Sequence, residues 1–521
     1  MNFFKNLSVP EIDQESDDMR LHLLLVFSVI ICCSGCSAFG GGHSNKNPLK
    51  MKMKDGLSPI ALEIVDQAFD IGNPVVDHHL HVIGEKNISS VMAKICPDYA
   101  AEAKKENGGK EIDSRAWVNE DRFSLNWFSL KRLGLFLKTK VLMDTMKIEG
   151  RKNTDIDSAN RLLNLVKGLV EDVDNANGYD LEIYLLAVDG YYEKGGYGFD
   201  EKYTDIYVPN NYVVHLSRCL NSEVKGKSPF VPVISINPNR ADAVKELTKY
   251  KDVARYIKWL APAMGFDPLD PYIDPFLEKV KEYGMVIISH SGGEHAFDIK
   301  DESFRKFGDP LRLVKALDKG IPVVVSHSGG DDDDKRHRNM MNFFKMLEDD
   351  RNKDKWCLFG DTSALTLPKN LSHFDKLLED GADKYKYRIL YGSDYPLPAV
   401  WKMNPIDELV SSHDHVGEDG TCDVTDRAED RYIHNKFTLD GFPVENSKKV
   451  LRDIFSYNPL AFDVVVKRIL HRKGKDGPEL PAEMFMSLEE NIRREQEDKS
   501  VKVKRKQCLN WYNNFGSGHS D

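Results

Sequence analysis

The sequence predicts a (β/α)8 barrel, the TIM-barrel fold, with an insertion after strand 1 and a C-terminal helical extension. Two observations lead to this prediction. Eight short runs of apolar residues recur along the chain, and amphipathic helical segments separate most of them. Continuous apolarity is typical of parallel strands, because both of their faces are covered. Eight strand–helix units in succession close into a barrel.

The predicted elements follow one another in a regular order. A helix with Ser58 as N-cap and Pro59 at its first position ends near Gly72 and leads into the first strand. The predicted strands cover residues 75–81, 181–188, 230–237, 256–261, 285–290, 321–327, 356–361 and 388–394. Helical segments between them, such as residues 274–284, end in glycine before the next strand begins.

The chain divides into three parts around this barrel. Residues 1–48 are predicted to be a leader and linker, residues 49–470 the barrel, and residues 471–521 a polar, loosely ordered tail. The gap between the first two strands is too long for one helix and loop, so it holds an insertion at about residues 88–150. Insertions after barrel strands lie on the active face, so this segment is either a lid or packing filler.

The N-terminal segment has the features of an export signal. An apolar run at residues 23–33 is too short for a transmembrane helix of about 20 residues but long enough for a secretory signal. The letters CSGC resemble the lipobox of bacterial lipoproteins, which implies lipid attachment at Cys36, although leucine is usual where Cys33 stands. The expected location is therefore the bacterial cell envelope, with the chain anchored to the membrane by its lipid. A secreted or periplasmic protein, or one with a single N-terminal membrane anchor, is the alternative.

The net charge indicates which class of partner to expect, and the cysteine spacing indicates whether to expect disulfide bonds. The net charge of -11 offers no basic face to a nucleic-acid backbone, so a small-molecule substrate is expected and nucleic acid is not. The cysteines beyond the linker are widely spaced and form no C-x-x-C pair, so buried or unpaired thiols are expected and a disulfide framework is not. They are Cys96, Cys219, Cys357, Cys422 and Cys508.

Four of the predicted strands end in side chains that can bind a metal ion. These are His79 and His81 on the first strand, His290 on the fifth, His327 on the sixth and Asp394 on the eighth. Residues i and i+2 of a strand share a face, so both histidines of the first strand can point into the barrel mouth. Active groups of such barrels collect at the C-terminal ends of the strands. The recurrence predicts a site for one divalent metal ion, with zinc preferred and manganese or iron as alternatives.

Each of these side chains has an expected role. His79, His81, His290 and Asp394 are the predicted metal ligands, and His327 is left to take or give a proton. A metal ion lowers the pKa of bound water from about 15.7 to about 7, which supplies hydroxide at neutral pH. A nearby histidine with a pKa of about 6.5 can then shuttle the proton.

Six motifs together resemble the amidohydrolase superfamily, in its amidohydrolase-related branch of metal-dependent hydrolases and decarboxylases. In chain order they are VDHHLH, IKWLAPAMGFDPLDP, SHSGGEH, VVVSHSGG, ILYGSDYP and YNPLAF. The resemblance implies the same metal ligands and the same role for His327, and it adds a role for Asp394 as base toward the metal-bound water. It also draws attention to Lys258, which is carboxylated between two metal ions in some members. Structural pairing of Lys258 with a nearby acid is the expectation.

Three further residues are candidates for substrate contact. Glu294 and His295 follow the fifth strand, one loop beyond a predicted ligand. Arg240 follows the third strand, where a guanidinium group can hold a substrate carboxylate. His78 points away from the neighbouring pair and is expected to be structural.

The predicted function is a metal-dependent hydrolase that cleaves a C–N or C–O bond of an amide, lactone or ester. A metal-dependent decarboxylase with the same site is the first alternative, because the ion can polarise a carbonyl while His327 protonates the carbanion. A non-catalytic envelope lipoprotein that keeps the barrel as a binding module is the second alternative.

Overall fold

The computed structural model describes the following residues: 56–119, 154–171, 178–292, 297, 299–330, 337–367, 370–397, 437–438, 444–469, 471–472, 480–501 and 504–516. All of them belong to the unit Met51–Asp521. The predicted lipidation site Cys36 and the candidate substrate residues Glu294 and His295 lie outside the described residues.

Eight parallel strands form one sheet whose order follows the chain, which confirms the predicted barrel. They are β1 (Val75–His81), β2 (Leu181–Leu186), β3 (Phe230–Ser235), β4 (Tyr256–Trp259), β5 (Val286–Ser289), β6 (Val323–Val325), β7 (Leu358–Asp361) and β8 (Ile389–Leu390). The sheet closes because the chain beyond β8 pairs with β1. The amide of His81 donates to the carbonyl oxygen of Tyr395, and the amide of Asp394 donates to that of His79, both at 2.8 Å.

Helices surround the barrel and cover one of its ends. Those among the described residues are α1 (Pro59–Phe69), α2 (Ile88–Ile95), α3 (Pro97–Glu106), α4 (Thr154–Val170), α5 (Asn210–Ser222), α6 (Ala243–Tyr250), α7 (Ala261–Met264), α8 (Asp274–Glu282), α9 (Val314–Asp318), α10 (Arg338–Glu348), α11 (Arg351–Asp354), α12 (Leu371–Asp380), α13 (Val444–Tyr457), α14 (Pro459–Arg468), α15 (Leu488–Glu497) and α16 (Lys506–Phe515). Helix α1 begins as predicted, since Ser58 Oγ accepts a hydrogen bond from the amide of Ala61 at 3.3 Å. No helix in the described part of the chain is long and apolar enough to cross a membrane.

The burial of strands and helices follows from their apolar patterns. Every residue of β5, β6 and β7 is buried, as continuous apolarity predicts. Helix α8 instead buries one face, through Phe276, Leu277 and Val280. Each such side chain contributes about 1.5–3 kcal/mol relative to an exposed one, so this stripe fixes the helix against the barrel.

The described residues 480–501 and 504–516 of the C-terminal segment are folded, so the expectation of a loosely ordered tail is wrong for them. Helices α15 and α16 bury Leu488, Ile492 and Trp511 in one apolar cluster with Val76 and Val286, which lie near the starts of β1 and β5. These helices therefore cover the end of the barrel opposite the strand C-termini. Their polar composition concealed this packing, because a helix that buries a single face needs few apolar residues.

Two disulfide bonds correct the expectation that the thiols are unpaired. Cys96, at the end of α2, bonds to Cys219 in α5, and Cys357, just before β7, bonds to Cys508 in α16. The partners are 123 and 151 residues apart in sequence, and spacing alone does not reveal contacts that the fold creates. The second bond ties the C-terminal helix to the barrel. Cys422 lies outside the described residues.

The predicted insertion begins with regular structure. Its described residues form α2, α3 and the short strand Trp117–Val118, which pairs with Ile206–Tyr207. Residues 120–150 lie outside the described part of the chain, so a lid function for this segment stays a prediction.

Candidate metal centre

Three of the predicted metal ligands meet where β1 ends and the chain leaves β8. His79 Nε2 lies 3.3 Å from His81 Nε2, and each of these nitrogens lies 3.5 Å from Asp394 Oδ1. Zinc ligands at about 2.0–2.2 Å in tetrahedral geometry lie about 3.3–3.6 Å from one another. The three atoms therefore have the spacing of one face of a tetrahedral metal site. Imidazole and carboxylate ligands suit zinc and other divalent first-row ions.

A buried carboxylate joins the two chain segments that carry these ligands. Asp77 Oδ1 accepts hydrogen bonds from the amides of His79 at 3.0 Å and Ser393 at 2.9 Å. Burial raises the pKa of Asp77 to about 7. Beside this contact, Asp394 has a φ of 62°, in the left-handed region that residues other than glycine rarely adopt. Such strain is frequent at functional sites, where the surrounding structure enforces it.

The first-strand histidines differ in their surroundings. Burial, followed by the electrostatic influence of His79 and Lys258, lowers the pKa of His81 well below its usual value. The neutral imidazole is the form that binds metal ions, so this shift favours ligation. His78 lies on the opposite face, where Nδ1 donates to the carbonyl oxygen of Tyr391 at 3.1 Å and the ring packs edge-on against Tyr184. These contacts give His78 the structural role expected from alternation along the strand.

The other predicted groups lie beside the triad of His79, His81 and Asp394. His327 Nε2 lies 3.1 Å from His290 Nδ1, and the His327 ring lies 5.1 Å from that of His79. Among the described residues, the ligand groups that converge within 4.8 Å do not include His290. The assignment of His290 as fourth ligand therefore stays a prediction.

Lys258 is fully buried at the base of the site. Its Nζ lies 2.9 Å from His79 Nε2 and 3.2 Å from Ser326 Oγ. These contacts are with an imidazole and a hydroxyl, and the expected pairing of Lys258 with an acid stays a prediction. A lysine ammonium donates hydrogen bonds and does not accept them, so His79 Nε2 is the acceptor in this contact.

Two residues of the site were not predicted from the sequence. Asp361 ends β7, and its Oδ2 lies 3.0 Å from His79 Nδ1, while its Oδ1 accepts from the amide of His327 at 2.8 Å. Ser363 Oγ lies 3.0 Å from His79 Nδ1 and 2.8 Å from His327 Nδ1. The signal was present, because the seventh apolar run ends in LFGD. Asp361, like the other candidates, is a side chain that can bind a metal ion at the C-terminal end of a predicted strand.

Asp361, His79 and His327 form a second group close enough to hold a metal ion. The triad is the better site for chemical reasons. The carboxylate of Asp361 already accepts from the amides of His327 and Ser363 and from the hydroxyl of Ser363. A carboxylate that contacts the second nitrogen of a ligating histidine is typical of the outer shell of a metal site.

The candidate substrate residue Arg240 is engaged by two acids. Its Nη1 lies 3.2 Å from Asp189 Oδ2, and its Nε lies 2.9 Å from Asp242 Oδ1. A substrate carboxylate would have to compete with both of them for the guanidinium. A role of Arg240 in substrate binding stays a prediction.

Comparison with known proteins adds structural neighbours. No protein-family model matches the sequence, and a search of curated proteins finds no match. An uncharacterized TIM-barrel protein from Bordetella bronchiseptica is 13% identical, with a TM-score of 0.33 over 50% of this chain and 80% of that one. A putative 2-pyrone-4,6-dicarboxylic acid hydrolase from Pseudomonas putida is 16% identical, with a TM-score of 0.31 over 62% and 82%. The 5-carboxyvanillate decarboxylase of Sphingomonas paucimobilis is 12% identical, with a TM-score of 0.28 over 62% and 89%.

Two further neighbours are an amidohydrolase II and a putative metal-dependent hydrolase from Lactobacillus casei. The assignment of the fold rests on the strand order and closure of this chain itself.

Proposed function

We propose that this chain is a metal-dependent hydrolase that uses activated water to cleave a C–N or C–O bond of an amide, lactone or ester. The observation that supports it is the spacing of 3.3, 3.5 and 3.5 Å among His79 Nε2, His81 Nε2 and Asp394 Oδ1 at the mouth of a closed barrel. The net charge of -11 also favours a small-molecule substrate over nucleic acid.

The residues of the triad would hold one divalent ion, with His290 as the expected fourth ligand. The chemistry that such an ion supplies is the activation of water, whose pKa it lowers from about 15.7 to about 7. Zinc is the proposed metal, because two imidazoles and a carboxylate with tetrahedral spacing suit it. Manganese and iron are the alternatives.

Proton transfer is assigned to two side chains of this site. Asp394 offers one carboxylate oxygen to the triad, and its second oxygen can accept a proton from water. His327 Nδ1 donates to the carbonyl oxygen of Ser363 at 3.0 Å, so Nε2 is the basic atom of its ring. His327 can therefore take a proton at Nε2 and return it to the leaving group.

Metal-dependent turnover tests this proposal. The full-length chain is stripped of metal, reloaded with zinc, manganese or iron, and assayed against a panel of amides, lactones and esters. We expect hydrolysed product with the loaded chain, none after chelation, and recovery when metal is returned. His215, which lies in α5 and contacts Tyr99, provides a matched control, and His215→Ala should retain metal and activity.

The remaining outcomes separate the alternatives. Release of carbon dioxide from carboxylated substrates without water-dependent product would replace the hydrolase by a decarboxylase. Substoichiometric metal after reloading would instead favour a non-catalytic binding module.

We also propose that the chain is exported to a bacterial cell envelope and lipid-anchored at Cys36. The two disulfide bonds support export, since such bonds persist in oxidising compartments and are rare in the cytosol. In a bacterial host grown with labelled palmitate, the label should enter the wild-type chain and not Cys36→Ser. Equal labelling of both chains would contradict lipidation at this residue.

A further inference from the structure

We propose that Asp361 and Ser363, at the end of β7, fix which ring nitrogen of three neighbouring histidines carries the proton. The histidines are His79, His327 and His290. We call this pair the β7 clamp; it presets the lone pairs that a metal ion needs before the ion arrives. The inference rests on the proposed function and assigns a positioning role to two residues that no sequence motif identified.

The tautomer of His79 follows from two independent contacts. Its Nδ1 lies 3.0 Å from a carboxylate oxygen of Asp361, which accepts and does not donate. Its Nε2 lies 2.9 Å from the ammonium of Lys258, which donates and does not accept. Both contacts place the proton on Nδ1 and the lone pair on Nε2. Nε2 is the atom that faces His81 and Asp394 in the triad.

The tautomer of His327 follows from Ser363. The carbonyl oxygen of Ser363 lies 3.0 Å from His327 Nδ1, so this nitrogen must carry a proton. The single hydroxyl proton of Ser363 is donated to Asp361 Oδ1, which leaves Ser363 Oγ to accept from the neighbouring rings. The lone pair of His327 is therefore on Nε2.

The clamp extends to His290 through His327. His327 Nε2 is an acceptor, and it lies 3.1 Å from His290 Nδ1, so His290 donates from Nδ1. The lone pair of His290 is thereby placed on Nε2, where the predicted fourth ligand bond would form. One carboxylate and one serine thus orient the basic nitrogens of a ligand in the triad, the proton carrier and the expected fourth ligand.

Substitution of Asp361 by asparagine should invert the tautomer of His79. The amides of His327 and Ser363 and the hydroxyl of Ser363 all donate to Oδ1, so the amide oxygen must occupy that position. The amide NH2 then faces His79 Nδ1 and can only donate to it. His79 must move its proton to Nε2 and lose the lone pair that the metal requires. Ser363→Ala keeps the carboxylate and the carbonyl acceptor, so its effect should be smaller.

The experiment measures zinc affinity and ring protonation in the full-length, metal-free chain. Zinc binding is titrated against a chelator of known affinity, and ring protons are assigned by NMR of chain labelled with 15N-histidine. We expect Asp361→Asn to lower zinc affinity about 10- to 100-fold, the range typical of lost outer-shell partners, with Ser363→Ala between it and the wild type. In the wild type, the proton of His79 should be on Nδ1.

Glu495→Gln provides the control for a merely structural loss. Glu495 is as deeply buried and pairs with Arg388 and Arg505, at the end of the barrel opposite the triad. It should lose thermal stability and keep its zinc affinity. An equal loss of affinity in Glu495→Gln, unchanged affinity in Asp361→Asn, or a wild-type His79 proton on Nε2 would each overturn the clamp. A wild-type chain that binds no zinc would overturn the proposed function itself, which is a separate result.

Discussion

Lys467 Nζ donates a hydrogen bond to the carbonyl oxygen of Gly392 at 2.8 Å, two residues before Asp394. The same ammonium pairs with Asp463 Oδ2 at 2.8 Å, and both side chains are almost fully buried. Helix α14, which carries both residues, is thereby connected to the segment that presents the triad carboxylate. The resemblance motif YNPLAF, residues 457–462, thus covers the start of a helix that braces the site from outside the barrel.

Removal of the Lys467 ammonium should lower the free energy of unfolding. Lys467→Met leaves the carboxylate of Asp463 buried without its cation, and such a loss typically costs about 3–5 kcal/mol. Denaturant unfolding should show this decrease in the free energy of unfolding, and zinc affinity should fall because Gly392 loses its anchor. The double variant Lys467→Met/Asp463→Leu should recover part of the stability. A single variant as stable as the wild type would contradict the bracing role.

The bond between Cys357 and Cys508 should stabilise the whole barrel. It ties α16 to the start of β7 across 151 residues, and loss of a native disulfide typically costs about 2–5 kcal/mol. The paired variant Cys357→Ser/Cys508→Ser should therefore unfold at a lower temperature in thermal melts and at a lower denaturant concentration in chemical melts. Cys96→Ser/Cys219→Ser is the matched control for a bond that joins two outer helices. Unchanged unfolding of the first variant under oxidising conditions would argue against the bond.

The extent to which the sequence predicted this structure depends on the range of each interaction. His79 and His81 were predictable because residues i and i+2 of a strand share a face, which is a local property. The eight strands were predictable because each is a short continuous apolar run. The contact of Asp361 with His79 spans 282 residues, so its role emerges only when the barrel closes, although its position at a strand end could be read.

The disulfides and the C-terminal helices show the limit of such reasoning. Helix α16 has an ordinary polar composition, and only its place under the barrel shows that Trp511 donates to the carbonyl oxygen of Gly284 at 2.9 Å. The partners of Cys96 and Cys357 are set by the same long-range packing. A single sequence carries no signal for either contact.

Because Asp394 is assigned as a metal ligand and His327 as the proton carrier, their substitution should have different effects on metal content and turnover. Asp394→Ala removes a triad oxygen and should abolish stoichiometric metal, as measured by elemental analysis of the purified chain. His327→Ala removes the proton carrier and should keep the metal while turnover falls about 100- to 10,000-fold, the usual contribution of general acid–base catalysis. Loss of metal from both variants to the same degree would show that ligand and proton carrier were wrongly divided.

Metal binding should also be visible as stability. An ion that binds the folded state alone, at a free concentration about 1,000 times its Kd, raises the free energy of unfolding by about 4 kcal/mol. Thermal melts of the wild-type chain with and without excess zinc should show this gain, and Asp394→Ala should show little of it. A gain of the same size in both chains would place the stabilising zinc elsewhere.

The pH dependence of stability tests the surroundings of His81 without any metal. Burial, followed by the electrostatic influence of His79 and Lys258, lowers the pKa of His81, so below about pH 6.5 the unfolded metal-free chain binds a proton that the folded chain does not bind. The contribution of neutral His81 to the free energy of unfolding is therefore fully present above that pH, and it is lost as the pH falls toward the lowered pKa of His81. Burial raises the pKa of Asp77 to about 7, so the contribution of Asp77 to stability changes with pH in the opposite direction. This contribution is the same in the wild-type chain and in a variant of His81.

The difference between the wild-type chain and His81→Asn isolates this contribution, because the effect of Asp77 cancels between them. Between pH 8 and pH 5, the free energy of unfolding of the wild type should fall by more than that of the variant. The measurement is a set of denaturant unfolding curves of both metal-free chains at each pH. Parallel pH profiles would mean that His81 protonates as easily in the folded chain as in the unfolded one, and that the site does not keep this imidazole ready for a metal ion.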